Sequence, residues 1–334
     1  MARRPPTLFV STGCPAGIGP EVSVAAAARL RDVPIVLVGD VGTLLEAAAL
    51  VHVGEQHLVP FDGTPPRRGS IGLVQAGPAL TPKDRLPGKP SRAAGAAQLT
   101  AVETAFRLVK KHRGTALVTA PVSKAAIASS GARGASKFAG HTEWLQHLDG
   151  AKTSVMCFVA PKLATSVVTT HVPLAKVPGL LTPNGVADAA VWLARLLAAL
   201  GRKRPRVVVA SLNPHAGENE MFGKEEARAI VPGVALAQKR ERSARIEGPI
   251  GAETAYRYAY AGKYDGVVAM YHDQATIPMK LVAFGDAVNV TMGLSVPRTS
   301  VDHGTAYDIA WRGEADAHGM IAALELATKL AAAR

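Results

Sequence analysis

Along the chain, short runs of β-branched and apolar residues alternate with longer stretches in which apolar positions recur every three or four residues. The first pattern suits a buried strand, the second a helix with one face on a core. Thr7 to Val10 opens the series as a strand, and Pro20 to Leu30 follows as a helix. Further strands are predicted at 35–38, 116–118, 154–159, 166–168, 207–210 and 266–269, and helices at 92–110, 186–200, 224–239 and 317–332. Glycine and proline gather at 62–68, 83–91 and 129–137, which predicts loops there. This alternation predicts an α/β fold with a largely parallel sheet. No internal repeat interrupts it, which excludes a solenoid.

Length adds a domain expectation, because 334 residues exceed the size at which one hydrophobic core usually stops growing. Two domains, or one elaborated domain, are expected. With 48% hydrophobic and 19% charged residues the chain reads as globular. No apolar run reaches the roughly 18 residues that span a bilayer. The opening Met1–Pro6 leads directly into the first strand, so a cytoplasmic enzyme with no membrane partner is expected. Only Cys14 and Cys157 are present, which excludes a disulfide framework and a thiolate-rich cluster. A metal ion would therefore need histidine and carboxylate ligands. The net charge of +12 raises nucleic acid as a partner. However, the basic runs at 202–204 and 239–242 carry no interleaved aromatics and no binding motif, so solvated loops and helix ends are expected instead. Such a surface would also concentrate an anionic substrate.

Candidate chemistry sits where predicted strands end. The first strand runs into Gly13-Cys14-Pro15-Ala16-Gly17-Ile18-Gly19-Pro20-Glu21, small residues suited to a tight turn with proline opening the helix. Such a helix start can receive an anion or a dinucleotide, although the glycine spacing is not that of a Rossmann fingerprint. Three of the ten histidines follow strands, in Thr170-His171-Val172-Pro173, Asn213-Pro214-His215-Ala216-Gly217-Glu218 and Tyr271-His272-Asp273-Gln274. Taken singly, each suits a hydrogen-bonded loop position. Gathered at the carboxyl ends of a parallel sheet, three imidazoles would bind a divalent ion and leave positions open for substrate. Beyond them lie Lys280, Asn289 and Arg298, a point charge, an orienting amide and a fork suited to phosphate or carboxylate.

Seven segments, taken in order, resemble the successive motifs of the 4-hydroxythreonine-4-phosphate dehydrogenase family. They are Pro15–Glu21, Thr119–Lys124, Gly140–Glu143, Thr170–Leu174, Asn213–Glu218, Tyr271–Gln274 and Arg298–Ala306, and they cover nearly the whole chain. The resemblance implies a two-domain fold like that of isocitrate and isopropylmalate dehydrogenases, with largely parallel sheets and a cleft between domains. Residues 1–125 with 286–334 would form the first domain. Residues 126–285 would form the second, with the metal ligands and a dimer interface. It implies His171, His215 and His272 as ligands of one divalent ion (Zn, Mg, Mn or Co). Substrate would be held by His141, Thr142, Lys280, Asn289 and Arg298, and NAD or NADP would lie near Gly17, Gly19, His303, Gly304 and Thr305. Asp273 and Lys280 are the expected catalytic residues, with Asp273 or a water beside it as proton acceptor. The implied assembly is a homodimer with a shared active site, His171 and His215 from one chain and His272 from its partner.

The activity implied is oxidation of a small phosphorylated hydroxy amino acid, followed by decarboxylation of the 3-oxo acid. Three positions depart from the family pattern: Cys14 and Glu253 replace a usual acid and a usual aspartate, and Ala275 a usual glycine. No expected metal ligand is lost. The departures leave open a paralogue acting on a threonate or erythronate phosphate. A non-catalytic binding protein on the same fold is the rival of another class. Cys14 suits a small apolar filler, with a partly exposed reactive thiol as the alternative.

Overall fold

A computed structural model describes residues 5–333. In chain order its first stretch runs β1 (Thr7–Ser11), α1 (Gly19–Arg29), β2 (Ile35–Gly39), α2 (Val41–Leu50), β3 (Leu58–Pro60) and β4 (Ile71–Gln75). There follow α3 (Arg92–Lys111), β5 (Thr115–Thr119), α4 (Lys124–Ser129), α5 (His141–Asp149), β6 (Val155–Ala160), β7 (Leu163–Val167), α6 (Val177–Leu180) and α7 (Pro183–Ala199). The last stretch holds β8 (Arg206–Ala210), α8 (Val231–Arg240), β9 (Arg245–Ile250), α9 (Ala252–Tyr260), β10 (Gly266–Ala269), α10 (His272–Ala283), β11 (Val288–Met292), β12 (Arg298–Ser300) and α11 (His318–Ala332). The chain divides into two units, residues 1–151 with 294–334, and residues 152–293.

In the first unit six strands lie in the order β3-β4-β2-β1-β5-β12, and every pairing is parallel. Strands β1, β2 and β5 are buried along their whole length, as the uninterrupted apolar runs require when helices cover both faces. Helix starts follow side-chain caps: Asp40 accepts from Thr43 N at 2.8 Å for α2, and Ser91 accepts from Ala94 N at 3.0 Å for α3. Asp40 also accepts from Thr43 Oγ1, Gln75 Nε2 and Leu80 N, so this buried carboxylate at the end of β2 ties the unit together.

In the second unit the order is β11-β6-β7-β10-β8-β9. The pairs β7/β10, β10/β8 and β8/β9 are parallel, whereas β11/β6 and β6/β7 are antiparallel. The three histidine-bearing segments follow the adjacent parallel strands β7, β10 and β8.

The unit boundaries differ from those expected after 125 and 285. Ile127, Phe138, Trp144 and Leu145 share one apolar core with Phe9 and Leu117, which keeps 126–151 in the first unit. Residues 286–293 stay in the second because β11 pairs with β6, Asn289 opposite Phe158. Several elements were not predicted, among them α2, β4, α5, β9, α9, α10, β11 and β12. Helices α5 and α10 begin at His141 and His272 with polar residues that blur the helical period, and Pro278 lies inside α10. The helix expected at 224–239 starts instead with a π turn at Glu226–Ile230, and the loop expected at 129–137 contains a 3₁₀ turn at Ala135–Lys137.

Candidate active site

The first unit brings Arg298, His141, Lys124 and Glu143 near one another, from β12 and the starts of α4 and α5. Parallel pairing of β12 with β5 sets Arg298 opposite Leu117, where only 2% of it is exposed. Its Nη2 donates to Thr119 Oγ1 at 2.6 Å. Burial brings the guanidinium down to about 10, and the Glu143 carboxylate opposes that shift, so the charge remains in place at neutral pH. His141 opens α5 with its ring edge-on to Phe138, centroids 5.9 Å apart. Its Nε2 is enclosed and has no hydrogen-bond partner among the described residues. Burial, then Arg298 and Lys124, hold its pKa well below the ordinary imidazole value, so the ring is neutral. An enclosed polar atom without a partner costs about 1–3 kcal/mol, which a ligand hydrogen bond would offset. Thr142, next in the chain, is buried.

Three residues of this cluster were not among the expected site residues: Thr119, Lys124 and Glu143. A Cβ on Gly140 would stand 2.7 Å from Glu143 Oε2 and 3.4 Å from Lys124 Nζ, so glycine there leaves room for both side chains. The signal for them was present in the Thr119–Lys124 and Gly140–Glu143 segments. Nothing local told which of their residues would face Arg298.

The early turn and the late loop meet in the same unit. Ile18 N donates to Thr305 O at 3.1 Å, and a Cβ on Gly17 would lie 2.8 Å from that carbonyl. A Cβ on Gly19 would stand 2.4 Å from Thr12 O. These glycines therefore allow close backbone approach within the protein. The late loop is fastened further by Trp311, whose Nε1 donates to Pro15 O at 3.0 Å and whose N–H donates to Glu21. Burial raises the Glu21 carboxyl and the Trp311 N–H opposes the shift. Cys14 is fully buried, its thiol raised by burial, with Sγ 3.4 Å from Tyr307 Oη. It fills space beneath the turn, and the reactive-thiol alternative finds no exposed sulfur here. His303 and Gly304 are exposed, with open space around the position of a Gly304 Cβ.

The second unit brings two of the three expected metal ligands together. His171 and His272 rings lie 5.3 Å apart between centroids, and Phe158 stands edge-on to His272 at 6.3 Å. The His272 Nδ1 is 2.7 Å from Asp273 Oδ1. Such a carboxylate holds the proton on Nδ1 and turns the Nε2 lone pair outward, the usual preparation of a metal-binding imidazole. The pair thus fits a divalent ion held through imidazole nitrogen. His215 lies in a separate loop beside Phe222, ring centroids 6.2 Å apart. Among the described residues no three histidine, cysteine or carboxylate side chains of one chain converge as a ligand set. Within the chain, His171 and His272 are thus close to each other. Lys280 is exposed on the last turn of α10. Asn289 lies on β11 with its Oδ1 enclosed and without a hydrogen-bond partner. The expected substrate residues thus divide, with His141, Thr142 and Arg298 in the first unit and Lys280 and Asn289 in the second.

The model of the family described as pyridoxal phosphate biosynthetic protein PdxA matches residues 31–327. The chain belongs to the PdxA family. Among PdxA-family relatives, a 4-hydroxythreonine-4-phosphate dehydrogenase of Desulfosudis oleivorans is 40% identical, over 98% of this chain and 96% of its own. A D-threonate 4-phosphate dehydrogenase of Salmonella typhimurium is 36% identical, over 97% and 99%. The crystal structure of 4-hydroxythreonine-4-phosphate dehydrogenase from Klebsiella pneumoniae superposes with a TM-score of 0.84 at 36% identity, covering 98% of this chain and 99% of that one.

Proposed function

We propose that this PdxA-family chain is a metal-dependent NAD(P) dehydrogenase that oxidises 4-phosphooxy-L-threonine. The product would be a 3-oxo acid that loses CO2 to give 3-amino-2-oxopropyl phosphate, in pyridoxal phosphate biosynthesis. The observation that carries the reading is the buried cluster of the first unit. There a buried, charged Arg298 lies beside a neutral His141 whose enclosed Nε2 lacks a partner. A small anion that also carries a hydrogen-bonding group would satisfy both.

In this reading Arg298 grips phosphate or carboxylate through its fork, and Lys124 adds a second positive charge. His141, being neutral, takes a hydrogen bond without adding charge. Lys280 supplies a point charge and Asn289 Oδ1 an acceptor for a substrate donor. His171 and His272, joined by His215, would hold the divalent ion, which when bound lowers the pKa of a substrate hydroxyl and stabilises the negative charge that develops on its oxygen. Asp273 keeps the His272 tautomer, and it or an adjacent water takes the proton. A nicotinamide cofactor would supply the hydride acceptor. Its dinucleotide is assigned to the joined segments at Gly17–Gly19 and His303–Thr305.

A homodimer with a shared ligand set completes the reading. It is supported by the exposed apolar side chains of α10 and its end, Ile277, Leu281 and Phe284, on the same helix as His272 and Lys280. No helix among the described residues is long and apolar enough to cross a membrane. The reading takes the reaction to be cytoplasmic, since small charged substrates do not cross a bilayer unaided. The deciding experiment adds Zn, Mg, Mn or Co back to chelated enzyme with NAD or NADP and follows reduced nicotinamide by absorbance. Its substrate panel includes 4-phosphooxy-L-threonine, D-threonate 4-phosphate and erythronate 4-phosphate. Turnover of the first ahead of the others is expected. The second reading, a D-threonate 4-phosphate dehydrogenase, has the Salmonella relative in its favour and would be adopted if that substrate led.

A further inference from the structure

The loop that carries His215 is held by an unusual device. From His215 to Glu220 six consecutive residues have positive φ, between 39° and 83°, and only one of them is glycine. L residues seldom adopt this conformation, and backbone bonds within the loop, Glu218 N to His215 O and Phe222 N to Gly217 O, both at 3.2 Å, close it. A pair of adjacent carboxylates fastens the segment that leads into it. Buried Glu226 accepts from Leu212 N at 2.9 Å and Asn213 N at 2.8 Å through Oε1, and from Asn213 Nδ2 at 2.9 Å through Oε2. Glu225 Oε2 accepts from the same Nδ2 at 2.8 Å. Both amide hydrogens of Asn213 are thereby used, two residues before His215, with rigid Pro214 between.

Neighbouring side chains on a regular α-helix point about 100° apart and do not readily reach one atom. Here the pair stands at the start of the π turn Glu226–Ile230, where the backbone departs from that spacing. Two glycines leave room for the carboxylates. A Cβ on Gly223 would lie 2.4 Å from Asn213 Nδ2 and 2.6 Å from Glu225 Oε2, and one on Gly217 3.0 Å from Glu226 Oε2. Neither carboxylate forms an ion pair among the described residues, so backbone and amide N–H groups take up the negative charge.

We infer that Glu226, assisted by Glu225, is a positioning residue that fixes the His215 imidazole for metal binding through the Asn213–Pro214 segment. This rests on the reading of His215 as a ligand. Glutamine at 226 would turn an N–H₂ toward the Asn213 amide, donor against donor, while keeping size and one acceptor oxygen.

The test measures Co2+ affinity of the full-length protein by competition with a chelating dye, for wild type, Glu226→Gln, His215→Ala and the double variant. Circular dichroism follows the fold of each. Glu226→Gln is expected to weaken Co2+ by about 10- to 100-fold, as loss of a partner behind a metal ligand does, and to have little further effect once His215 is alanine. If His215→Ala leaves Co2+ affinity unchanged, the ligand reading itself fails. If His215→Ala weakens binding but Glu226→Gln does not, or weakens it equally in the His215→Ala background, the positioning role is overturned and Glu226 is structural only. Should Glu226→Gln not fold, Glu225→Gln removes one of the four bonds. It must then weaken Co2+ in the wild-type background alone, and no change would equally overturn the role.

Discussion

Replacing Arg298 separates charge from geometry in the proposed anion site. Arg298→Lys keeps a cation on β12 but removes the planar fork and the Nη2 bond to Thr119 Oγ1 at 2.6 Å. Arg298→Ala removes the charge as well. A hydrogen bond to a charged group contributes about 1.5–3 kcal/mol, equivalent to roughly 10- to 200-fold in kcat/KM. The alanine variant should reach the upper part of that range, because the site is only 2% exposed and water replaces the fork poorly. The lysine variant should fall between alanine and wild type. Both losses should appear chiefly in KM, since phosphate or carboxylate is gripped alike before and during the reaction. The assay is steady-state formation of reduced nicotinamide with 4-phosphooxy-L-threonine, alongside thermal melts to separate lost binding from lost stability. Unchanged kcat/KM in both variants would remove Arg298 from the substrate site, whatever happened to stability.

Acid should destabilise the fold through His141. Its folded pKa lies well below the ordinary imidazole value of 6.5, so below pH 6.5 the unfolded chain binds a proton that the folded chain refuses. The contribution of the neutral ring is therefore present above that pH and lost as pH falls toward the folded value. Melting temperature should drop over this interval in wild type and drop less in His141→Gln; equal slopes would contradict the neutral, enclosed ring. Chelation should abolish activity yet leave the circular dichroism spectrum nearly unchanged, because both units have apolar cores of their own; global unfolding on metal removal would count against a purely functional ion. Alanine variants at His171, His215 and His272, unfolded and refolded in pairs, test the shared site. If two ligands come from one chain and one from its partner, two of the three pairings should recover about a quarter of wild-type activity under two-fold symmetry. The pairing that fails names the two ligands of one chain, expected to be His171 with His215, so that His171→Ala with His272→Ala recovers activity. Failure of all three pairings, with mixed dimers verified by native mass spectrometry, would refute sharing.

Sequence alone determined the elements whose signal is local. The apolar runs of β1, β2 and β5 needed no partner to be read as strands, because strands covered on both faces are apolar throughout. The order of the motifs likewise carried the family, and with it the candidate residues at the strand ends. Short helices beginning with functional polar residues, α5 and α10, were not legible, since their burial is decided by neighbours distant in sequence. The place of the unit boundary was decided in the same way, by Phe138 and Trp144 entering the core of Phe9. Tertiary structure alone decided that Arg298 would reach Thr119, that His141 would be neutral, and that Gly17 would abut Thr305. It alone brought Glu225 and Glu226 onto Asn213. The physical reason is common to all of these. A charge shift, a close approach or a shared hydrogen-bond donor depends on what surrounds a residue in space, and β5 meets β12 only after most of the chain between them has folded.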